Sequence, residues 1–384
     1  VTLLYGDGIH QSSAVARNPP ALTGAGLRER LALEMTLELQ ALRESSRSFA
    51  AERGYAVRVP AEAKGVAFGH LTASPDGEVD VSELEGIDAD LVVRPFGWKG
   101  TVATVRDAAE SELLVHHGMQ SEHLVIEGDA ARVGDGDDPD DPDDDGVGQE
   151  INEGQVTALA LFVALQELPQ EEPPEDPWLV TLWARGRLDF EALGCASCHV
   201  PELPLDDSRW VLPHRYGGPS LEIDLAREGA EPRLVPAAED GALRVRLYSD
   251  LRRHRMGSAL AEDRDEHGVP ADEFLTPPLW GVAHSRPYLH DGRAPTLEDA
   301  ILLHGGEAQA AADAYAALDD AGRAPLRAVL QPQPVRRHHR RLNGFRTANA
   351  IGEHGTQNRQ RLVFLVLLGQ RISDDQSSLT LLFR

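Results

Sequence analysis

Apolar positions recur along this chain at two spacings. Leu27, Leu31, Met35, Leu39 and Leu42 fall about one helical turn apart, which predicts one amphipathic helix over 27–53. The spacing then shortens. Tyr55, Val57 and Val59, and later Val79 and Val81, alternate with polar residues around Asp76-Gly77, which predicts short strands and a hairpin over 54–94. Helical patterning returns over about 101–117 and 153–168. It returns again in the stripe Leu179, Leu182, Trp183, Phe190 and Leu193, and last over about 319–330. Residues 201–275 offer one alternation, Leu243, Val245 and Leu247, and otherwise read as loops. The Pro- and Glu-rich stretch 169–177 reads as a linker. The expectation is a mainly α fold of two helical domains, 1–170 and 171–330, with small β hairpins and long loops. Residues 331–384 form an atypical basic tail.

The stripe ending at Leu193 runs directly into Cys195-Ala196-Ser197-Cys198-His199, which contains the only two cysteines of the chain. This is C-x-x-C-H, the attachment signature of a c-type haem. Two thiols three residues apart can each bond one vinyl group of a single porphyrin, and the adjacent imidazole then lies beneath the iron. A structural zinc site would need two further Cys or His ligands at knuckle spacing, and none is apparent. A thioredoxin-like redox pair usually sits at a strand-to-helix turn, whereas here a helix precedes the motif.

The two halves of the chain look related. Pro19-Pro20-Ala21-Leu22-Thr23-Gly24 parallels Pro277-Pro278-Leu279-Trp280-Gly281. Trp98-Lys99-Gly100, followed by Thr104-Val105 and Asp107-Ala108, parallels His290-Asp291-Gly292, followed by Thr296-Leu297 and Asp299-Ala300. Leu114-Val115-His116 parallels Leu302-Leu303-His304. The haem motif precedes the second Pro-Pro pair (195 to 277). A matching first motif is therefore expected about 60 residues before Val1.

His199 supplies one axial position of the haem iron, and the other calls for His, Met or a vacancy. His304, at a helix end before Gly305-Gly306, and Met256 are the two candidates. In the first half His116, His117 and Met119 crowd the place equivalent to His304, and His70 is a further candidate. An imidazole there could act as acid or base on a bound peroxide.

Charge adds two features. The net charge of −26 makes nucleic acid an unsuitable partner. Residues 331–384 reverse that sign, with nine arginines against three acidic residues, while the rest of the chain carries 28 basic and 60 acidic residues. Within the acidic block 135–145, Asp141, Asp143 and Asp145, followed by Gly146, match the alternate carboxylates of a calcium loop. Asn152 stands at position twelve. A solvated acidic linker is the alternative. No run of apolar residues is long enough to predict a transmembrane helix. Covalent haem attachment takes place outside the energy-transducing membrane, so a periplasmic or otherwise extracytoplasmic protein is expected.

Together the motif at Cys195, Tyr248-Ser249-Asp250, Met256-Gly257, Pro277-Pro278-Leu279-Trp280-Gly281, Leu289-His290-Asp291-Gly292-Arg293 and His304-Gly305-Gly306-Glu307 resemble the di-haem cytochrome c peroxidase-like oxidoreductases. The likeness is nearest to the di-haem "thiol oxidoreductase" branch. It is dense over 180–330 and thinner over 15–170. The resemblance implies two cytochrome c-like helical domains and two haems c in the full protein, with calcium between the domains. Electrons would come from a partner such as a small cytochrome or cupredoxin and would pass to peroxide at the N-terminal haem. It also places Trp98 near an inter-haem aromatic. The position of His304 usually holds Met in the peroxidases, so His there implies a lower potential. The chain departs from the family at Gly118, where true peroxidases carry an acidic residue. Two alternatives follow, a non-catalytic electron carrier and an enzyme that oxidises a partner protein's side chains.

Overall fold

The computed structural model describes residues 2–4, 15–117, 119–127, 150–166, 168, 174–226 and 243–330. The acidic run with Asp141, Asp143 and Asp145, and the tail 331–384, lie outside the described residues.

Helices arise where the sequence places long apolar stripes. Helix α1 (Ala25–Arg53) buries Leu27, Leu31, Met35 and Leu39 along one face and ends on Gly54 at φ 76, where a left-handed residue closes the last turn. Helix α2 (Val105–His117) is followed by α3 (Glu122–Glu127). Helix α4 (Glu153–Ala164) opens on a capping box made by Asn152 and Gln155. Helix α5 (Pro177–Ala192) has Pro177 in its first turn and Asp176 as N-cap, whose carboxylate accepts from the amides of Trp178 and Leu179. Helices α6 (Leu297–Leu302), α7 (Gln309–Ala316) and α8 (Asp320–Leu330) complete the set.

The expected mainly α architecture of two cytochrome c-like helical domains is not what the chain builds. Among the described residues helices are the larger share, but strands form five small antiparallel sheets. The hairpin over 54–94 is a three-stranded sheet of β3 (Val57–Ala63), β4 (Val66–Ala73) and β5 (Val79–Asp80), which follow β1 (Thr2–Leu4) and β2 (Val15–Arg17). Its tight turn falls at Lys64-Gly65, both with positive φ, and its second turn at Gly77. The supposed loop region 201–275 contains β6 (Leu203–Leu205), β7 (Arg209–Leu212), β8 (Leu221–Asp224), β9 (Leu243–Val245), β10 (Arg253–Arg255) and β11 (Glu273–Leu275). These pair as β6 with β9, β7 with β8 and β10 with β11. Strands of three or four residues are too short to print an alternation, and most of them pair with segments distant in sequence. That is why the pattern caught only β9, at the alternation of Leu243 and Val245, and missed the other five.

The largest apolar cluster combines Leu31, Met35, Leu39 and Phe68 with Leu205, Val245, Leu247 and Trp280. It therefore draws on both sides of the 169–177 stretch. A smaller cluster of Phe190, Tyr315 and Leu326 lies between α5 and α8. Gly186 permits that approach, since a Cβ there would overlap the carbonyl oxygen of Pro325.

The internal repeat has the same local geometry in both copies. A bridge joins Phe96 to Val102, and another joins Tyr288 to Ala294. Gly97 and Leu289 are both left-handed, at φ 75 and 70, as are Gly100 and Gly292, at φ 58 and 75. Thr104 with Asp107, and Thr296 with Asp299, then cap α2 and α6.

Candidate haem site

The motif follows α5 directly. Gly194, left-handed at φ 85, turns the chain into a short 3₁₀ turn, Cys195–Ser197, and the amide of His199 donates to the carbonyl of Cys195 (3.0 Å). The two thiols are free, not joined as a disulfide. The turn presents His199 to the carbonyl of Tyr248, 3.0 Å from Nδ1. With Nδ1–H donated there, the lone pair of the ring is left on Nε2.

The ring of His304 lies beside that of His199, with centroids 6.5 Å apart and planes at 52°. Its Nδ1 is likewise tied to a carbonyl, that of Ala300, at 2.7 Å. Both rings thus carry the same tautomer, with Nε2 unprotonated. Burial holds both in the neutral form. It lowers the pKa of His199 to about 4, with the neighbouring His304 adding to the effect, and it lowers that of His304 as well.

These residues fit a haem iron. An imidazole nitrogen ligates a metal at about 2 Å, and its ring centre lies roughly 1 Å further back, so two opposed ligands place their centroids about 6 Å apart. The observed spacing matches. Leu193, Leu279 and Ile301 belong to the cluster that holds Cys195 and Ala196, and they are only partly buried. They are apolar surface that a porphyrin would cover.

Met256 lies beside the turn that follows His304. Its backbone packs against Gly305, whose missing Cβ leaves room for the Met256 carbonyl, and its amide donates to Asp272. The structure thus brings together Cys195, Cys198, His199 and His304. Among the described side chains, Trp98 makes its contacts elsewhere. Trp98 donates Nε1–H to the carbonyl of Asn18 (2.6 Å) and meets His290 edge-on at 6.5 Å. His117 is exposed at the end of α2, and the side chain of His116 lies outside the described residues. His304 follows the capping Thr296 by eight residues. The same count from Thr104 reaches Glu112, not His116.

Sequence reasoning missed three residues, Asp250, His254 and Glu307. His254 is buried with Nε2 2.7 Å from Asp250 Oδ2 and Nδ1 2.8 Å from Glu307 Oε2, and Cys198 Sγ lies 3.7 Å from Nδ1. Burial opposes charge on this ring, but the hydrogen bonds and charges of Asp250 and Cys198 together outweigh it and raise the pKa to about 10. Cys198, Asp250 and His254 are close enough to hold a metal ion. Both ring nitrogens, however, face carboxylates and carry protons, so no lone pair remains for a metal. The signal was faint, a single histidine within Arg252-Arg253-His254-Arg255.

Residues 231–332 match the family model described as "Di-haem oxidoreductase, putative peroxidase". That segment includes His254, Met256, His290 and His304, and the match supports a haem-based oxidoreductase. No curated protein matches the chain. Among solved structures the chain is similar to a hydrazine synthase of Kuenenia stuttgartiensis pressurised with xenon. The identity is 19%, the TM-score 0.29, and the alignment covers 48% of this chain and 56% of that one.

Proposed function

We propose that this chain is an exported c-type oxidoreductase of the di-haem kind, with one haem bonded to Cys195 and Cys198 and its iron held between His199 and His304. The observation that carries the reading is the pair of imidazoles 6.5 Å apart, each with Nδ1 pinned to a backbone carbonyl. The group supplies a one-electron couple when bound. The chain's own residues orient the two rings, keep them neutral and surround them with apolar side chains. Offered both His199 and His304, a haem held here would serve for electron transfer and not as the place where peroxide binds. It exchanges electrons with a small redox protein. Reduction of peroxide belongs to a second haem, whose attachment motif this sequence does not contain.

The test is expression in a host that matures c-type cytochromes. The purified chain should gain the mass of one haem, give the pyridine haemochrome of two thioether bonds, and show a low-spin ferric spectrum. His304→Ala should keep the haem and turn it high-spin, whereas Met256→Ala should leave it low-spin. A colourless product, or a low-spin spectrum that survives His304→Ala, overturns the reading.

A further inference from the structure

The segment 248–255 touches both turns that carry the axial histidines. At its start the carbonyl of Tyr248 holds Nδ1 of His199. The amide of Asp250 donates to the carbonyl of Cys198 (2.9 Å), so the attachment turn is fixed to the same segment. Its end reaches the opposite turn. The amide of Arg255 donates to Glu307 Oε1 (2.8 Å), three residues beyond His304, and Gly306 lies so close to the Arg255 carbonyl that a Cβ there would overlap it.

Between these ends stands His254. Nε2 faces Asp250 on the side of the attachment turn, and Nδ1 faces Glu307 on the side of the His304 turn. Each acceptor is itself fixed by a backbone amide, Asp250 Oδ1 by Arg252 and Glu307 Oε1 by Arg255. A ring bonded to carboxylates at both nitrogens donates two charge-assisted hydrogen bonds, and one of its planes spans the gap between two separate loops. Asp250 and His254 are buried, so removing the ring would strand a carboxylate away from water.

We propose that His254 is a positioning residue which, through Asp250 and Glu307, sets the distance between the attachment turn and the His304 turn and so keeps His304 within reach of the iron opposite His199. The proposal rests on the haem reading above. Its role is mechanical, because His254 touches neither axial ring.

The experiment uses the matured holoprotein and follows haem content, spin state and the binding of added imidazole to the ferric form. His254→Ala is expected to keep one haem per chain but to shift the iron toward high spin. Glu307→Ala cuts the same link, together with the bond from the Arg255 amide, at a partly exposed side chain, and should raise the imidazole affinity about tenfold, the scale of one lost charge-assisted hydrogen bond. Glu307→Gln retains one acceptor and should lie between Glu307→Ala and the parent. If Glu307→Ala binds imidazole as weakly as the parent and stays fully low-spin, the proposal fails while the haem reading stands. If His304→Ala also leaves the spectrum unchanged, it is the haem reading that fails.

Discussion

Segments 96–117 and 288–304 pass through the same steps, a bridge, two left-handed turns, a threonine cap and a helix, yet they end differently. The second copy delivers His304 to a partner imidazole on the attachment turn. The first continues its helix to His117 and delivers Glu112 at the matching count. The copies also meet each other, since Trp98 and His290, at equivalent positions, lie edge to face. The difference teaches that the turn-and-cap scaffold is generic. Chemistry enters through what stands opposite the helix end, and opposite the second copy that is the C-x-x-C-H motif.

The sharpest way to break that comparison is to remove the motif. Cys195→Ser with Cys198→Ser is expected to abolish covalent haem entirely, read as loss of the haem mass and of the Soret band after denaturation. Trp98→Phe in the first copy should leave haem content unchanged. Equal loss from both would mean that the first copy holds the same haem.

The second copy is braced by its own helix pair, α5 and α8. Gly186 of α5 faces the Pro325 carbonyl of α8 with no room for a methyl group. Gly186→Ala should destabilise the chain by about 3 kcal/mol through forced separation of the helices. The urea midpoint measures it. A cost below about 1 kcal/mol would show that α8 is not tightly held.

The equivalent residues Trp98 and His290 differ in charge behaviour. His290 is buried and stacked on Phe274, centroids 4.4 Å apart, and burial lowers its pKa to about 4. A histidine depressed below its ordinary 6.5 is neutral in the fold, so its contribution to stability is complete above about pH 6.5. It is lost as pH falls from there toward 4, because the unfolded chain takes up the proton first. His290→Phe should remove this dependence, losing about 2 kcal/mol less than the parent between pH 7 and 4.5 in urea titrations. Parallel curves would place the acid-sensitive group elsewhere.

The chain's legibility from sequence followed element length. The stripe from Leu27 to Leu42 and the one ending at Leu193 gave their helices, because several turns of periodicity cannot be mistaken. Strands such as Arg253–Arg255 left no trace, since their partners lie far along the chain and three residues carry no period. The attachment motif was plain because its chemistry is local, two thiols and an imidazole within five positions. His304 was one of two candidates, as the choice depended on which loop folds back over the motif. His254 was invisible for the same reason. Its meaning lies in Asp250 and Glu307, and only the tertiary structure brings Glu307 within 2.8 Å of it.

The gentlest test compares the two caps directly. Thr104 accepts from the amide of Asp107, and Thr296 from that of Asp299, each at 3.1 Å, and each aspartate carboxylate accepts a hydrogen bond from the threonine hydroxyl in return. By local geometry the two are interchangeable, and Thr→Ala at either should cost about 1 kcal/mol. Their consequences for the iron should differ. Helix α6 is only six residues long and carries the Ala300 carbonyl that orients His304, so fraying its first turn loosens the ligand. Helix α2 has thirteen residues and orients no identified iron ligand. In the matured protein Thr296→Ala should therefore increase imidazole binding to the ferric haem two- to threefold, roughly the part of its cost that reaches His304, whereas Thr104→Ala should leave it unchanged at the same loss of stability. Equal effects on the iron would show that the two copies, unlike as their endings are, share a single site.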